Sequence, residues 1–169
     1  MNLENVKYDS KLYLRYGKNK LKIRTPVMRL PFGTEDYYGK TILKLEFTNI
    51  KNDLKMKVLH DAILELEKKN MQELGVSPDQ YKSCIVKYKD HEPYIVVKIE
   101  MKYDRPNCQI VNNEEFLLKT IYEFKKNDKA ICDIVFDRLW RYNNGTGCIV
   151  KLTKIICVWW IYNFYGIII

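Results

Sequence analysis

One stretch of this chain has a sustained helical period, and most of what is otherwise patterned alternates. Asn52-Asp53 are favourable N-cap residues. After them Met56, Leu59, Ala62, Ile63 and Leu66, with Met71 beyond, recur mostly at spacings of three and four. Gly75 stops the run and Pro78 lies just past it. The spacing predicts one main helix over 53–74. A chain with one such helix among period-two runs is limited to folds in which a small sheet supplies most of the core and the helix covers part of it.

The alternating runs begin at once. Leu12-Tyr13-Leu14-Arg15-Tyr16 and Leu21-Lys22-Ile23-Arg24 flank Gly17-Lys18-Asn19-Lys20, which reads as a hairpin turn. On the second run Lys20, Lys22 and Arg24 share one face while Leu21 and Ile23 point the other way. Thr25-Pro26 ends it, and Pro31 and Gly33 punctuate the following loop. From Thr41 to Thr48, Leu43, Leu45 and Phe47 alternate with Lys44, Glu46 and Thr48, the pattern of a half-buried antiparallel strand. Strands are expected again over 83–88 and 94–101, with a turn at Asp104-Arg105-Pro106-Asn107. Glu114 to Phe124 reads as a short helix. Ala130 to Trp140 and Cys148 to Val158 form a long hairpin around Asn143-Asn144-Gly145-Thr146-Gly147. The fold class is mainly β with one main α-helix, an OB-like antiparallel barrel capped by that helix.

Charge is the first functional clue. Twenty-nine Lys and Arg face 21 Asp and Glu, for a net charge of +8. The excess is uneven: Lys11, Arg15, Lys18, Lys20, Lys22, Arg24 and Arg29 fall within 11–30 with no acid among them. Basic residues interleaved with aromatics favour a polyanionic partner over a merely solvated face. The five cysteines are odd in number and lack paired metal-site spacing, and residues 1–10 are polar. Reduced, mostly buried thiols in an intracellular protein are therefore expected.

The run Lys20-Leu21-Lys22-Ile23-Arg24-Thr25-Pro26, then Met28, Pro31-Phe32-Gly33 and the Leu43-Leu45-Phe47 strand leading into a helix, resembles one viral group. Leu139-Trp140, the Asn/Gly turn, Gly147 and an apolar strand ending at Ile156 extend the likeness. The group is the single-stranded DNA-binding proteins of large eukaryotic DNA viruses, related to the replication-fork proteins of short-tailed phages. The resemblance spans roughly residues 11–158. It implies an OB-fold, sequence-tolerant binding of single strands and a role in viral DNA replication or recombination. For a viral protein, host-cell cytoplasm or nucleus at replication sites would be the location. The phage relatives end in an acidic tail with a terminal aromatic; here no acid follows Asp137, so tail-mediated recruitment does not carry over.

Single-strand binding needs cations along the phosphates and flat side chains beneath the bases, each stacked base being worth ~1–3 kcal/mol. Arg15, Lys18, Lys20, Lys22, Arg24 and Arg29 are the phosphate candidates. Tyr13, Tyr88, Tyr94 and Trp140 are the leading stacking candidates, with Tyr37, Tyr38 and Tyr142 behind them, and Arg138 and Arg141 are close to Trp140 in sequence. Any one of these rings is more often rim or core packing than a base platform, so the basic cluster weighs more than any member. Nothing locates a sensor of the 2′-hydroxyl, which leaves RNA beside single-stranded DNA as a partner.

Catalysis has weaker support. Asp90 with Glu100-Met101-Lys102 imitates the acid–acid–lysine arrangement of a metal-dependent nuclease, but such a triple is common by chance. His60 and Asp61 are adjacent on the helix, where neighbours diverge around the axis, so no dyad and a helix-surface histidine are expected. His91 with Cys84 and Cys108 lacks compact zinc spacing. There is no phosphate-binding glycine loop and no serine elbow, so no cofactor, metal or enzymatic role is expected.

Residues 1–158 read as the nucleic-acid-binding domain and 159–169 as an apolar, aromatic segment apart from it. From Ile155 to Ile169 there is no charge, but 15 residues fall short of the ~20 needed to span a bilayer. Membrane anchoring is thus disfavoured. The segment is expected to pack on the domain itself or on a second copy, making a homo-oligomer.

Overall fold

A computed structural model describes residues 2–112, 124–143 and 145–158. The short helix expected over 114–124 lies, except for Phe124, outside the described residues, and so does the segment 159–169.

Six strands precede the helix: β1 (Val6–Tyr8), β2 (Leu14–Tyr16), β3 (Asn19–Arg24), β4 (Met28–Leu30), β5 (Thr34–Tyr37) and β6 (Lys40–Glu46). The helix α1 is Leu54–Leu74, followed by β7 (Tyr81–Lys82), β8 (Ile85–Val86) and β9 (Tyr94–Lys98). Then come β10 (Met101–Lys102), β11 (Arg105–Pro106), β12 (Gln109–Asn112), β13 (Asp128–Tyr142) and β14 (Gly145–Cys157).

α1 begins and ends where its caps dictate. The Asp53 carboxylate accepts from the backbone N–H groups of Lys55 and Met56, and Gly75 takes the left-handed conformation (φ 62°) that closes the last turn. Met56, Leu59, Ile63 and Leu66 are buried as the period requires, in one core with Leu14, Leu21, Leu43, Leu45, Phe47, Ile134 and Phe136. Asn70 is buried among two tyrosines: the Tyr8 hydroxyl donates to its Oδ1 (2.8 Å) and its Nδ2 donates to the Tyr81 hydroxyl (2.9 Å). Glu67 accepts from the Ser83 hydroxyl and the Cys84 backbone N–H, each at 2.7 Å.

The long strand β13 organises the sheet. One edge pairs with β14 from Ala130 to Tyr142; the other takes β4 at 128–130 and β3 at 133–136. From β4 the pairing continues through β6 and β9 to β14, and so returns to β13. Two seams of this circuit rest on one residue pair each, Arg29 with Glu46 and Lys151 with Lys98. The sheet is therefore strongly curled and OB-like but not a closed barrel. Pro26 and Pro31 flank β4 and hold it to three residues, because proline offers no N–H to a ladder. The sheet is also mixed, since β7, β9 and β12 meet β14 in parallel.

Other expectations need correction. Strand over 83–88 shrinks to Ile85–Val86, and 94–101 is cut at Lys98. The turn placed at 104–107 lies at Tyr103-Asp104 instead, with Arg105–Pro106 paired in β11. His60 is mostly buried rather than on the helix surface: its ring meets Phe47 edge-on at 5.2 Å, and its Nδ1 lies 3.2 Å from the Asp61 carboxylate. A long helical side chain can lean back along the axis and so reach a neighbour that ideal angular spacing separates.

Candidate nucleic-acid interface

Alternation decides which side chains of β3 and β13 reach the outer face. Leu21 and Ile23 turn inward, so Lys20, Lys22 and Arg24 emerge together. On β13, Ile134 and Phe136 enter the core, leaving Asp133, Val135 and Asp137 outward beneath those cations. Arg24 donates to both oxygens of Asp133 (2.7 and 3.0 Å), and Lys22 reaches the same carboxylate at 3.0 Å. Lys20 and Lys151 both reach Asp137, at 3.0 and 2.7 Å, and Lys151 also meets Glu100 at 2.6 Å. The two aspartate side chains are only 4% and 2% exposed, whereas Lys20, Lys22 and Arg24 keep more than half of theirs in solvent.

These pairs shift the titrations as their geometry requires. Hydrogen bonds from Arg24 outweigh burial and hold Asp133 below the usual carboxylate range. Burial pushes Asp137 up, but Lys151 and Lys20 together overcome it and leave it low. Lys151 is raised, because its two carboxylates outweigh its desolvation.

A bulge then re-aims the strand. Phe136 pairs with Val150 and Arg138 with Ile149, so Asp137 is the extra residue. Asp137 and Arg138 consequently both face outward, Leu139 returns to the core, and Trp140 and Tyr142 follow Arg138. Arg138 and Arg15 bring their guanidinium carbons to 5.9 and 5.8 Å from the centroid of the Tyr13 ring. Trp140 lies against Tyr142 (5.7 Å) with the Lys82 ammonium 6.0 Å from its ring. Arg141 points the opposite way and donates to the Leu74 carbonyl at the C-terminus of α1, where a cation completes the helix. Arg138 and Arg141, neighbours of Trp140 in sequence, thus lie on opposite faces.

A second aromatic group forms across β4, β6 and β9. Phe32 from the loop after β4, Tyr94 at the start of β9 and Tyr88 from the preceding turn line one cleft with Arg29, His91 and Lys126. The Lys44 ammonium lies 4.5 Å from the Phe32 centroid and 5.6 Å from that of Tyr94. Phe32 is half exposed, an unusual position for a phenylalanine. Arg29 donates two 2.6 Å hydrogen bonds to Glu46, which raise the guanidinium further and hold Glu46 low against its burial. Between the two aromatic groups, Lys22, Val135, Lys151 and Lys98 fall in one cross-strand row. Lys18 stands alone at the exposed β2–β3 turn.

All twelve candidate residues are described: ten lie along this surface, Lys18 stands apart at the β2–β3 turn, and Arg141 turns to the helix end. Sequence reasoning missed Phe32, Lys44, His91 and Lys126. Lys44 was visible as an outward position on an alternating strand, and Phe32 as an aromatic in a Pro-Phe-Gly loop. It also missed Asp133 and Asp137, whose signal is two acids four apart in an apolar strand.

The nuclease arrangement is not assembled. Asp90 precedes β9 and Glu100 follows it, so the strand keeps them on the order of 15 Å apart at about 3.3 Å per residue. Glu100 is held by Lys151, and Lys102 lies over the Tyr103 ring. Among the described residues no group of three or more His, Cys, Asp or Glu side chains is placed to hold a metal ion. Cys84, Cys132, Cys148 and Cys157 are buried, Cys108 is half-buried, and burial pushes the Cys108 thiol up to about 11. Among the described residues no helix is long and apolar enough to cross a membrane.

The fold defines a class first: a curled, mainly β, OB-like domain with one long helix. Solved structures of phage proteins share it. A C-terminally truncated single-stranded DNA-binding protein from bacteriophage Enc34 superposes with a TM-score of 0.56 at 18% identity, covering 96% of this chain and 98% of that one. The single-stranded DNA-binding protein gp2.5 of bacteriophage T7 gives 0.54 at 12% identity, over 87% of this chain and 91% of its own. The Enc34 protein in complex with single-stranded DNA gives 0.50 at 18%, over 90% and 93%. At these identities the likeness is one of fold. No protein-family model matches the chain, and no curated protein matches it.

Proposed function

We propose that this chain is a sequence-tolerant single-stranded DNA-binding protein that coats and protects single strands during viral DNA replication or recombination, without chemistry of its own. One observation carries the reading: Phe32, Tyr88 and Tyr94 line a cleft with Arg29 and Lys126, Lys44 lies over the Phe32 and Tyr94 rings, and Lys22, Lys151 and Lys98 add a row of cations across β3, β14 and β9. Rings and cations on one open, sequence-indifferent track are what unpaired bases and phosphates require. The shared fold of phage proteins described as single-stranded DNA-binding supports it. Assignment to the large eukaryotic DNA viruses, and a host-cell site of action, rests on the sequence pattern of 20–33 and of the closing hairpin.

In this reading Phe32, Tyr94 and Tyr88 stack bases, with Tyr13 and Trp140 as a second group. Lys18, Lys20, Lys22, Arg24, Arg15, Arg29 and Arg138 meet phosphates; Arg141 serves the helix end. Residues 1–158 are the binding domain, and 159–169 pack on it or on a second copy. The deciding experiment compares affinities for a labelled single strand, its duplex and a matched RNA across a salt series, with Mg²⁺ and Mn²⁺ incubations alongside. Tight single-strand binding with intact substrate is expected; equal duplex binding, or metal-dependent cleavage, would overturn the reading.

A further inference from the structure

Two hairpins elsewhere in the molecule are built alike. The β5–β6 hairpin turns on Tyr38-Gly39 and the β10–β11 hairpin on Tyr103-Asp104, each a two-residue loop closed by a paired residue on either side. In both loops both central residues have positive φ: 48° and 71° in the first, 52° and 59° in the second. That is the signature of a type I′ turn, whose first position favours Asn, Asp or Gly. Tyrosine there is a steric outlier. Both tyrosines are 88% exposed, so little packing on the domain offsets the strain. Backbone strain at exposed side chains with so little local packing points to a functional use for them.

The two hairpins leave the sheet at the same end. The Ile99 N–H bonds to the Thr41 carbonyl, and Lys98 pairs with Ile42, so β10 leaves the sheet beside the start of β6. Both loops therefore project past the same edge. Tyr37, also well exposed, meets Tyr38 edge-on at 4.7 Å, and the Lys102 ammonium lies 5.7 Å from the Tyr103 ring. Lys40 and Arg105 close the two turns. The hairpins also grow from the proposed interface: β6 carries Lys44, while Glu100, just before β10, holds Lys151.

We infer that Tyr38 and Tyr103, with Tyr37, are paired aromatic fingers that stack the bases of a single strand as it leaves the cleft, with Lys40, Lys102 and Arg105 on the adjoining phosphates. The inference rests on the single-strand reading and assigns it a further stacking subsite. Exposed rings presented by strained turns suit a flexible, unpaired polymer, because unstacked bases offer π-faces of any sequence.

The test uses the full chain carrying Tyr38→Asn and Tyr103→Asn. Asparagine accepts the left-handed conformation, so the turns persist without the rings. Affinity is measured by fluorescence anisotropy for labelled oligothymidylates of about 5 and about 15 nucleotides, lengths that bracket the ~4–16 held by one OB-fold. The double variant should bind the short strand like the wild type, bind the long strand weaker by on the order of tenfold, and melt no lower. Unchanged affinity at both lengths, or an equal loss at both, would overturn the fingers while leaving the cleft in place. A wild-type protein that binds neither length would instead remove the single-strand reading and the fingers with it.

Discussion

Arg24 donates two hydrogen bonds, of 2.7 and 3.0 Å, to the carboxylate of Asp133, a residue 109 positions further along the chain. The same carboxylate holds Lys22, and Asp137 repeats the arrangement with Lys20 and Lys151. Each buried acid fixes two cations at the outer surface and cancels part of their charge. A polyanion would therefore meet ammonium and guanidinium groups already positioned, over a surface less positive than the basic segment suggests.

Replacing Asp133 by Asn separates positioning from masking. The amide keeps the volume but leaves Lys22 and Arg24 uncompensated. Chemical denaturation should show a loss of about 1–3 kcal/mol. Single-strand affinity should rise, and its salt dependence should steepen. Lower affinity in a folded Asp133→Asn protein would show that aim matters more than net charge.

The pairs also set a pH profile. Asp133, Asp137 and Glu46 titrate lower folded than unfolded, so the native state binds fewer protons and their stabilisation is complete above the unfolded value. It disappears as pH falls through the folded values, so the urea midpoint should drop below about pH 4, near the ordinary carboxylate pKa. Lys151 is raised, so its contribution holds below the unfolded lysine value and is lost above about pH 10. Urea melts from acid to alkaline pH should give a plateau with both edges; a steady decline from pH 7 to 5 would contradict it.

Lys18 and Lys22 should differ although both belong to the basic segment. Lys18 makes no ion pair among the described residues, whereas Lys22 is already engaged by Asp133. Lys18→Ala should flatten the log–log salt dependence of single-strand binding by roughly 0.7. Lys22→Ala should flatten it less, since part of that charge is neutralised before binding. Equal changes in a salt titration would mean that the Asp133 pair opens fully on the nucleic acid.

Asn70→Ala tests the buried network instead. It would strand the Tyr8 and Tyr81 hydroxyls beside the helix, at about 1–3 kcal/mol for each hydroxyl left unpaired. The melting temperature should fall sharply while affinity, measured well below the transition, stays near that of the wild type.

Truncation after Val158 addresses the segment beyond the sheet. Sedimentation or melting should change more than affinity for a short single strand. Unchanged melting and sedimentation with greatly weakened binding would place Trp159 and Trp160 in the interface instead.

The sequence by itself determined the kind of each element and the face each side chain takes. Asp53, Gly75 and the 3–4 spacing define α1, and alternation turns Leu43, Leu45 and Phe47 inward and Lys20, Lys22 and Arg24 outward. Caps, turns and periodicity act within a few residues, so they can be read locally. Tertiary structure alone decided that Lys20 meets Asp137 across 117 positions, that Phe32 and Tyr94 share Lys44, and that the sheet curls without closing. Those outcomes depend on strand order, on a bulge at Asp137 that re-aims Arg138 and Trp140, and on prolines that cut β4 short. They arise where distant segments pair, and a pattern of period two carries no record of its partner.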